Sequence, residues 1–260
     1  MSNYWQDRMA QSQAALTQKT TKEVERQLRK YYLKAANEVI AEFEFTYEKL
    51  LNTVGEGREP TPADLYKLDR YWKMQAQIKD KLNKLGSKQI NALSKAFEMN
   101  YFEVYYSIGF EGLQAFSTVD EKAVKQFINQ IWCADGKSWS QRVWENTERL
   151  ADTLNEELIN CVTTGKSTND LMIHLQERFS VSYSAADSLV RTELSHIQTQ
   201  AAQQRYTDYG IQEVQIWADY DERRCDVCGA LHKKVLPVSA QMPIPAHPRC
   251  RCSIIPVVKI

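Results

Sequence analysis

The chain lacks any run of apolar residues long enough to cross a membrane. A span needs about 18 uncharged apolar residues, and no stretch of these 260 residues approaches that. Net charge is missing as well. Thirty-three Lys and Arg balance 33 Asp and Glu, so no global field draws the protein to nucleic acid or to an anionic surface. Polyanion binding would need a local patch. The opening residues, Met1-Ser2-Asn3-Tyr4-Trp5-Gln6-Asp7, lack the basic start and apolar stretch of a signal peptide. A cytosolic origin is therefore expected, where thiols stay reduced. Proline is scarce before residue 237, and the prolines at 237, 243, 245, 248 and 256 forbid a long helix beyond that point.

What is present before residue 210 is helical periodicity. Thr20-Thr21-Lys22-Glu23 has capping-box spacing. Apolar residues follow at Val24, Leu28, Tyr31, Ala35, Val39, Phe43, Tyr47, Leu50 and Val54. The spacing predicts one helix of about 33 residues, roughly 50 Å long, ended by Gly55-Glu56-Gly57. A second start has Thr61 as N-cap and Pro62 at the first helical position. Its stripe runs from Leu65 through Trp72 and Leu85, then from Ile90 to Ile108. The five-residue step from Leu85 to Ile90, beside Gly86-Ser87, predicts a kink or break. Shorter helices are expected over 119–132 and 139–162, then from Ser167 to Phe179 and from Ser184 to Gly210. Val214, Ile216 and Trp217 suggest a strand. No internal repeat is visible. Long amphipathic helices of this kind predict a mainly α protein, an elongated N-terminal bundle followed by a small α+β domain.

The chemistry-bearing residues are in the tail. Four of the six cysteines, Cys225, Cys228, Cys250 and Cys252, fall within 28 residues of one another. In a reducing compartment such clusters hold metal more often than they form disulfides. Cys225-Asp226-Val227-Cys228 is a C-x2-C knuckle, and His247-Pro248-Arg249-Cys250-Arg251-Cys252 supplies three more candidate ligands. Zinc takes four sulfur or nitrogen donors in a tetrahedron. Five candidates for four places leave one redundant. Cys225, Cys228, His247 and Cys250 form the favoured set. An all-cysteine site using Cys252 is its rival. Cys133 and Cys161 read as buried small hydrophobes. His174 and His196, on helices, read as surface or boundary residues.

The run Trp217, Asp219, Asp221, Arg223, Cys225, Cys228, Leu231, then Pro245 to Cys252 and Pro256, resembles the C-terminal signature of the phage Mu F-like minor head proteins. Val190-Arg191-Thr192-Glu193 and the polar helix after it are similar to the Arg-Thr-Glu helix that precedes the cysteines in that family. Lys233 departs from the pattern, standing where relatives carry glycine. The resemblance covers roughly residues 150–260. It implies a low-copy virion component at the portal or inner capsid, near the portal inside the head. It also implies a part in head assembly, DNA packaging or DNA delivery.

On a helical wheel Glu193 lies about 70° from the centre of the apolar stripe, at 100° per residue. A carboxylate so close to a core needs a partner. Arg223, Arg224 or backbone N–H groups of the knuckle are the natural ones, and Arg191 and Glu193 together are expected to anchor the zinc module. Arg223, Arg224, Lys233, Lys234, Arg249 and Arg251 crowd the module, and residues 211–260 carry a net charge of +2. That allows weak, salt-sensitive, sequence-independent DNA contact. An HNH-like nuclease is the competing reading, but no Asp-His or His-His pair serves as base and metal ligand. The sequence thus predicts a helical arm over 1–149 and a head-morphogenesis domain over 150–260. Its zinc module would span about 217–258, with no catalytic residues and no membrane contact.

Overall fold

A computed structural model describes residues 4–55, 57–109, 118–218 and 224–257. The elements in order are α1 (Tyr4–Val54), α2 (Pro62–Lys67), α3 (Asp69–Ser107), α4 (Glu121–Ile128), α5 (Trp139–Thr164) and α6 (Thr168–Asp208). Then come β1 (Glu213–Trp217), α7 (Asp226–Leu231), β2 (Val235–Pro237) and β3 (Ser253–Pro256). The chain is mainly α with a small α+β region near its C-terminus. Among the described residues, no helix is long and apolar enough to cross a membrane.

Helix α1 starts well before the expected cap at Thr20. Thr21 does not cap; its hydroxyl donates to the Thr17 carbonyl at 2.7 Å, inside the helix. A repeat invisible in the raw sequence emerges from burial. In α1, Thr21, Tyr32 and Phe43 are buried, as are Val24, Ala35 and Thr46, and Leu28, Val39 and Leu50. In α3, Tyr71, Leu82, Leu93 and Val104 follow the same spacing, as do Met74, Leu85 and Ala96, and Ile78, Gln89 and Asn100. The step is eleven residues in every series. Eleven residues over three turns is close to the pitch of an undistorted helix, so one face stays buried without left-handed supercoiling. Polar residues at some of these positions hid the repeat from an apolar-only pattern.

The same polar substitution explains the unbroken α3. Gln89, not Ile90, takes the core position after Leu85, so the apolar stripe skips while the helix does not. Gly86 answers a packing need. A Cβ there would lie 2.6 Å from Cζ3 of the Trp144 ring. Gly86→Ala is expected to destabilise the protein by about 2 kcal/mol through overpacking. Chemical denaturation of the single variant and of Gly86→Ala with Trp144→Leu checks this, since the smaller side chain should restore most of the loss.

Other boundaries follow local hydrogen bonding. The Thr61 cap forms as expected, with Asp64 completing the capping box and Arg58 bound to Asp64 at 3.0 Å. A break falls at Leu68 instead, where the Trp72 indole takes up the Tyr66 carbonyl at 3.0 Å. Ser167 and Asp170 cap α6 reciprocally. Ser184 and Asp187 do not start a new helix, because α6 runs through them to Asp208.

The chain forms two compact units that interleave in sequence: residues 1–25, 92–139 and 187–260, and residues 26–91 and 140–186. The boundary expected near residue 150 falls inside α5. The second unit is all helical. Its core holds Leu28, Val39 and Phe43 of α1, Ile78 and Leu82 of α3, Leu154 of α5 and Leu175 of α6. Each fully buried side chain of this size contributes about 1.5–3 kcal/mol. The Tyr47 hydroxyl closes it by donating to the Lys166 carbonyl at 2.6 Å.

The first unit carries the sheet, in order β2-β1-β3 with both pairs antiparallel. Every residue of β3 is buried. Helix α6 is the spine of this unit. The Tyr206 hydroxyl donates to the Ile254 carbonyl at 3.2 Å and accepts from Gln13 at 2.8 Å. The Gln203 amide donates to the carbonyls of Val238 and Ala240. Phe97, Tyr101 and Tyr105 are buried, whereas Trp72 is 58% exposed.

Candidate metal centre

The candidate ligands come from two short segments. Cys225 is the N-cap of α7, and its Sγ accepts the Cys228 N–H at 3.4 Å. The single turn of α7 then carries Cys228 back toward the same point. The second segment enters the sheet. Cys250 and Cys252 lie just before β3, and all the residues of that stretch except Arg251 are buried from Cys250 onward through Pro256. Antiparallel pairing of β3 with β1 holds them in place, with Ser253 opposite Trp217.

Two overlapping groups result. The donor atoms of Cys225, Cys228 and His247 lie within 4.8 Å of one another, and so do those of Cys228, Cys250 and Cys252. Cys228 belongs to both. Its Sγ is 3.1 Å from His247 Nε2 and 3.7 Å from Cys250 Sγ. A tetrahedron with Zn–S bonds of about 2.3 Å has edges of about 3.8 Å, so the thiol pair already spans one edge. His247 Nδ1 donates to the Pro248 carbonyl at 2.8 Å. That bond leaves Nε2 as the free lone pair, the usual way a ligating imidazole is oriented.

The electrostatics fit a cation. A hydrogen bond from Cys252 holds the Cys250 thiol down to about 5, while the same bond pushes Cys252 far above the ordinary thiol range. Burial raises Cys228 to about 12. The backbone N–H of Cys228 lowers Cys225, and the Pro248 carbonyl raises His247. Neighbouring thiols oppose one another's ionisation, and a divalent ion among them would reverse that opposition. The cluster can therefore hold a metal ion.

Helix α6 braces the second segment through Thr192 and Asp187. Thr192 Oγ1 accepts the Arg249 N–H at 3.0 Å. Asp187 binds the Arg249 guanidinium at 2.8 Å and Arg191 at 3.2 Å. Arg191 also pairs with Glu25 of α1. Arg249 has a left-handed φ of 61°, a conformation that costs a non-glycine residue roughly 1 kcal/mol and persists where its surroundings hold it. The spacing of Asp187 to Arg191, one helical turn, was the available signal. Thr192→Val is expected to cost about 1 kcal/mol and to speed proteolysis between 240 and 250. Limited digestion alongside thermal melts reads both.

Glu193 is buried at 4% exposure. Trp132 supplies one partner, its indole N–H donating at 2.9 Å, where arginine or knuckle N–H groups were expected. The same indole stacks on His196, with ring centroids 4.2 Å apart. His196 is thus half-buried, the boundary position expected of it. His232 accepts the Ala218 N–H on Nδ1 at 3.2 Å. Arg249 is engaged by Asp187, which withdraws it from the basic set; Arg224, Lys233, Lys234 and Arg251 are exposed. Lys233 has a left-handed φ of 65°, a conformation that favours glycine. Asp219, Asp221 and Arg223 lie outside the described residues.

Residues 152–255 match the family described as Phage Mu protein F like protein. This part of the chain is similar to the Mu F-like family. The match spans the second half of α5, all of α6, and the sheet and cysteine segments nearly to the end of β3. It thus includes every candidate ligand and the Arg191-Thr192-Glu193 run. The Mu F-like match points to a phage head-related protein. No curated protein and no solved structure matches the chain.

Proposed function

We propose that the chain is a minor component of a bacteriophage head, and that it works by binding rather than by catalysis. It would associate with the portal and inner capsid and serve head assembly, DNA packaging or DNA delivery. It would enter the head from the host cytoplasm during assembly. The observation that carries this reading is the Mu F-like match over residues 152–255, joined to five convergent ligand side chains inside it. The metal we assign is one structural zinc, held by four of Cys225, Cys228, His247, Cys250 and Cys252. Mixed thiolate and imidazole donors suit zinc. A closed four-ligand site leaves no open position for a reacting water. The exposed Arg224, Lys233, Lys234 and Arg251 allow weak contact with DNA phosphates, which would fade as salt rises.

The test is mass spectrometry of purified proheads and virions, together with co-purification on portal oligomers. The protein should be present in few copies per particle and be retained by the portal. Its absence from both particles, while abundant in lysate, would overturn the reading. Nicking of plasmid DNA with added magnesium or manganese would favour a nuclease instead.

A further inference from the structure

A tetrahedral ion has room for one fewer ligand than this cluster offers, and the two ligand groups meet at Cys228. This inference rests on the zinc reading above. Cys225, Cys228 and His247 form one group, and Cys228, Cys250 and Cys252 form another that shares the Cys228 corner. An ion bound by the first group needs one more donor. Both Cys250 and Cys252 stand within 4.8 Å of Cys228 Sγ and of each other, and both are buried. They are separated by one residue, on a stretch braced by Thr192 below and by β1 above.

We propose that Cys250 and Cys252 are interchangeable donors for a single place in the coordination sphere, so that the site holds a resident spare thiol. Exchange conserves atoms and charge. As Cys252 Sγ forms its bond to zinc, its proton passes to the departing Cys250 Sγ, and the number of bound thiolates is unchanged. The spare sulfhydryl remains as a donor to the bound thiolate, the outer-sphere contact that steadies a metal–sulfur bond. Loss of either thiol to oxidation or alkylation would then leave the metal in place.

Zinc content of the full chain, measured after gel filtration against a chromophoric chelator, tests this. Cys250→Ser and Cys252→Ser should each retain the zinc of the wild type, with affinity lowered by no more than roughly tenfold, and the double variant should lose it. Cobalt substitution gives a second readout. Thiolate-to-cobalt absorption should be equally intense in the wild type and in both single variants. Loss of zinc from one single variant alone would make that cysteine a unique ligand and overturn the proposal. So would a double variant that keeps its zinc, or a single variant with weakened cobalt absorption. Circular dichroism of the double variant separates loss of ligation from loss of fold, since the long helices contain none of the ligands. A wild type without zinc would instead refute the metal reading itself.

Discussion

Cys228→Ser should strip the zinc proposed here and unfold the tail while sparing the helices. Cys228 is the corner common to both ligand groups, so no rearrangement of the remaining donors replaces it. The region it holds is thin: short strands, one six-residue helix and long irregular stretches between them. Structural zinc contributes an apparent 10–16 kcal/mol in small metal-bound folds, roughly the whole stability of a domain. The expected result is zinc falling from about one per chain to none, with rapid proteolysis across 224–257. Far-UV helical signal should change little, because the ligands lie outside α1, α3, α5 and α6. A strong chelator should reproduce the result in the wild type. Retained zinc and an intact tail in Cys228→Ser would show that the cluster is not organised around this residue.

Acid should weaken the unit that contains His196, through His196 itself. Burial against Trp132 and Phe127 lowers its pKa to about 4, against an ordinary value of about 6.5. Between those values the unfolded chain binds a proton that the folded chain refuses, so stability rises with pH and is lost as pH falls. The full difference is about 3 kcal/mol, with roughly 2 kcal/mol gone by pH 5. His196→Phe keeps an aromatic ring against Trp132 and cannot be protonated. Denaturant unfolding at pH 7.5 and pH 5 should show a smaller acid loss in His196→Phe than in the wild type. The comparison between the two proteins removes the acid sensitivity of the metal ligands, which both share. Equal losses would mean that His196 is protonated in the folded state without penalty.

The sequence was most legible where chemistry is bound to spacing. A C-x2-C followed by His-Pro-x-Cys-x-Cys pointed to a candidate metal cluster, because few other uses require thiols at those separations, and the structure gathers the five side chains into two groups of three that share Cys228. Capping chemistry was legible for the same reason at Thr61 and Ser167, where one side chain answers a backbone N–H three residues away. It misled at Thr20 and Ser184. Residues of capping type also serve inside helices, and Asp187 is there to bind Arg191 and Arg249. Gly86 misled likewise, since a glycine that admits a tryptophan looks the same in sequence as one that ends a helix.

By itself, then, the sequence determined the helical class, the strand before the knuckle, the family resemblance and the set of candidate ligands. These depend on periodicity and on contacts between near neighbours, which a linear pattern records. Only the tertiary structure decided that Gln89 and Asn100 occupy core positions, that α3 and α6 run unbroken, and that Trp132 reaches Glu193. It alone showed Thr192 and Asp187 gripping Arg249 between the ligands. Each of these is a choice made by a partner distant along the chain: a buried polar group is tolerated, or a glycine needed, according to what packs against it. Local pattern carries no record of that partner, and the fold supplies it.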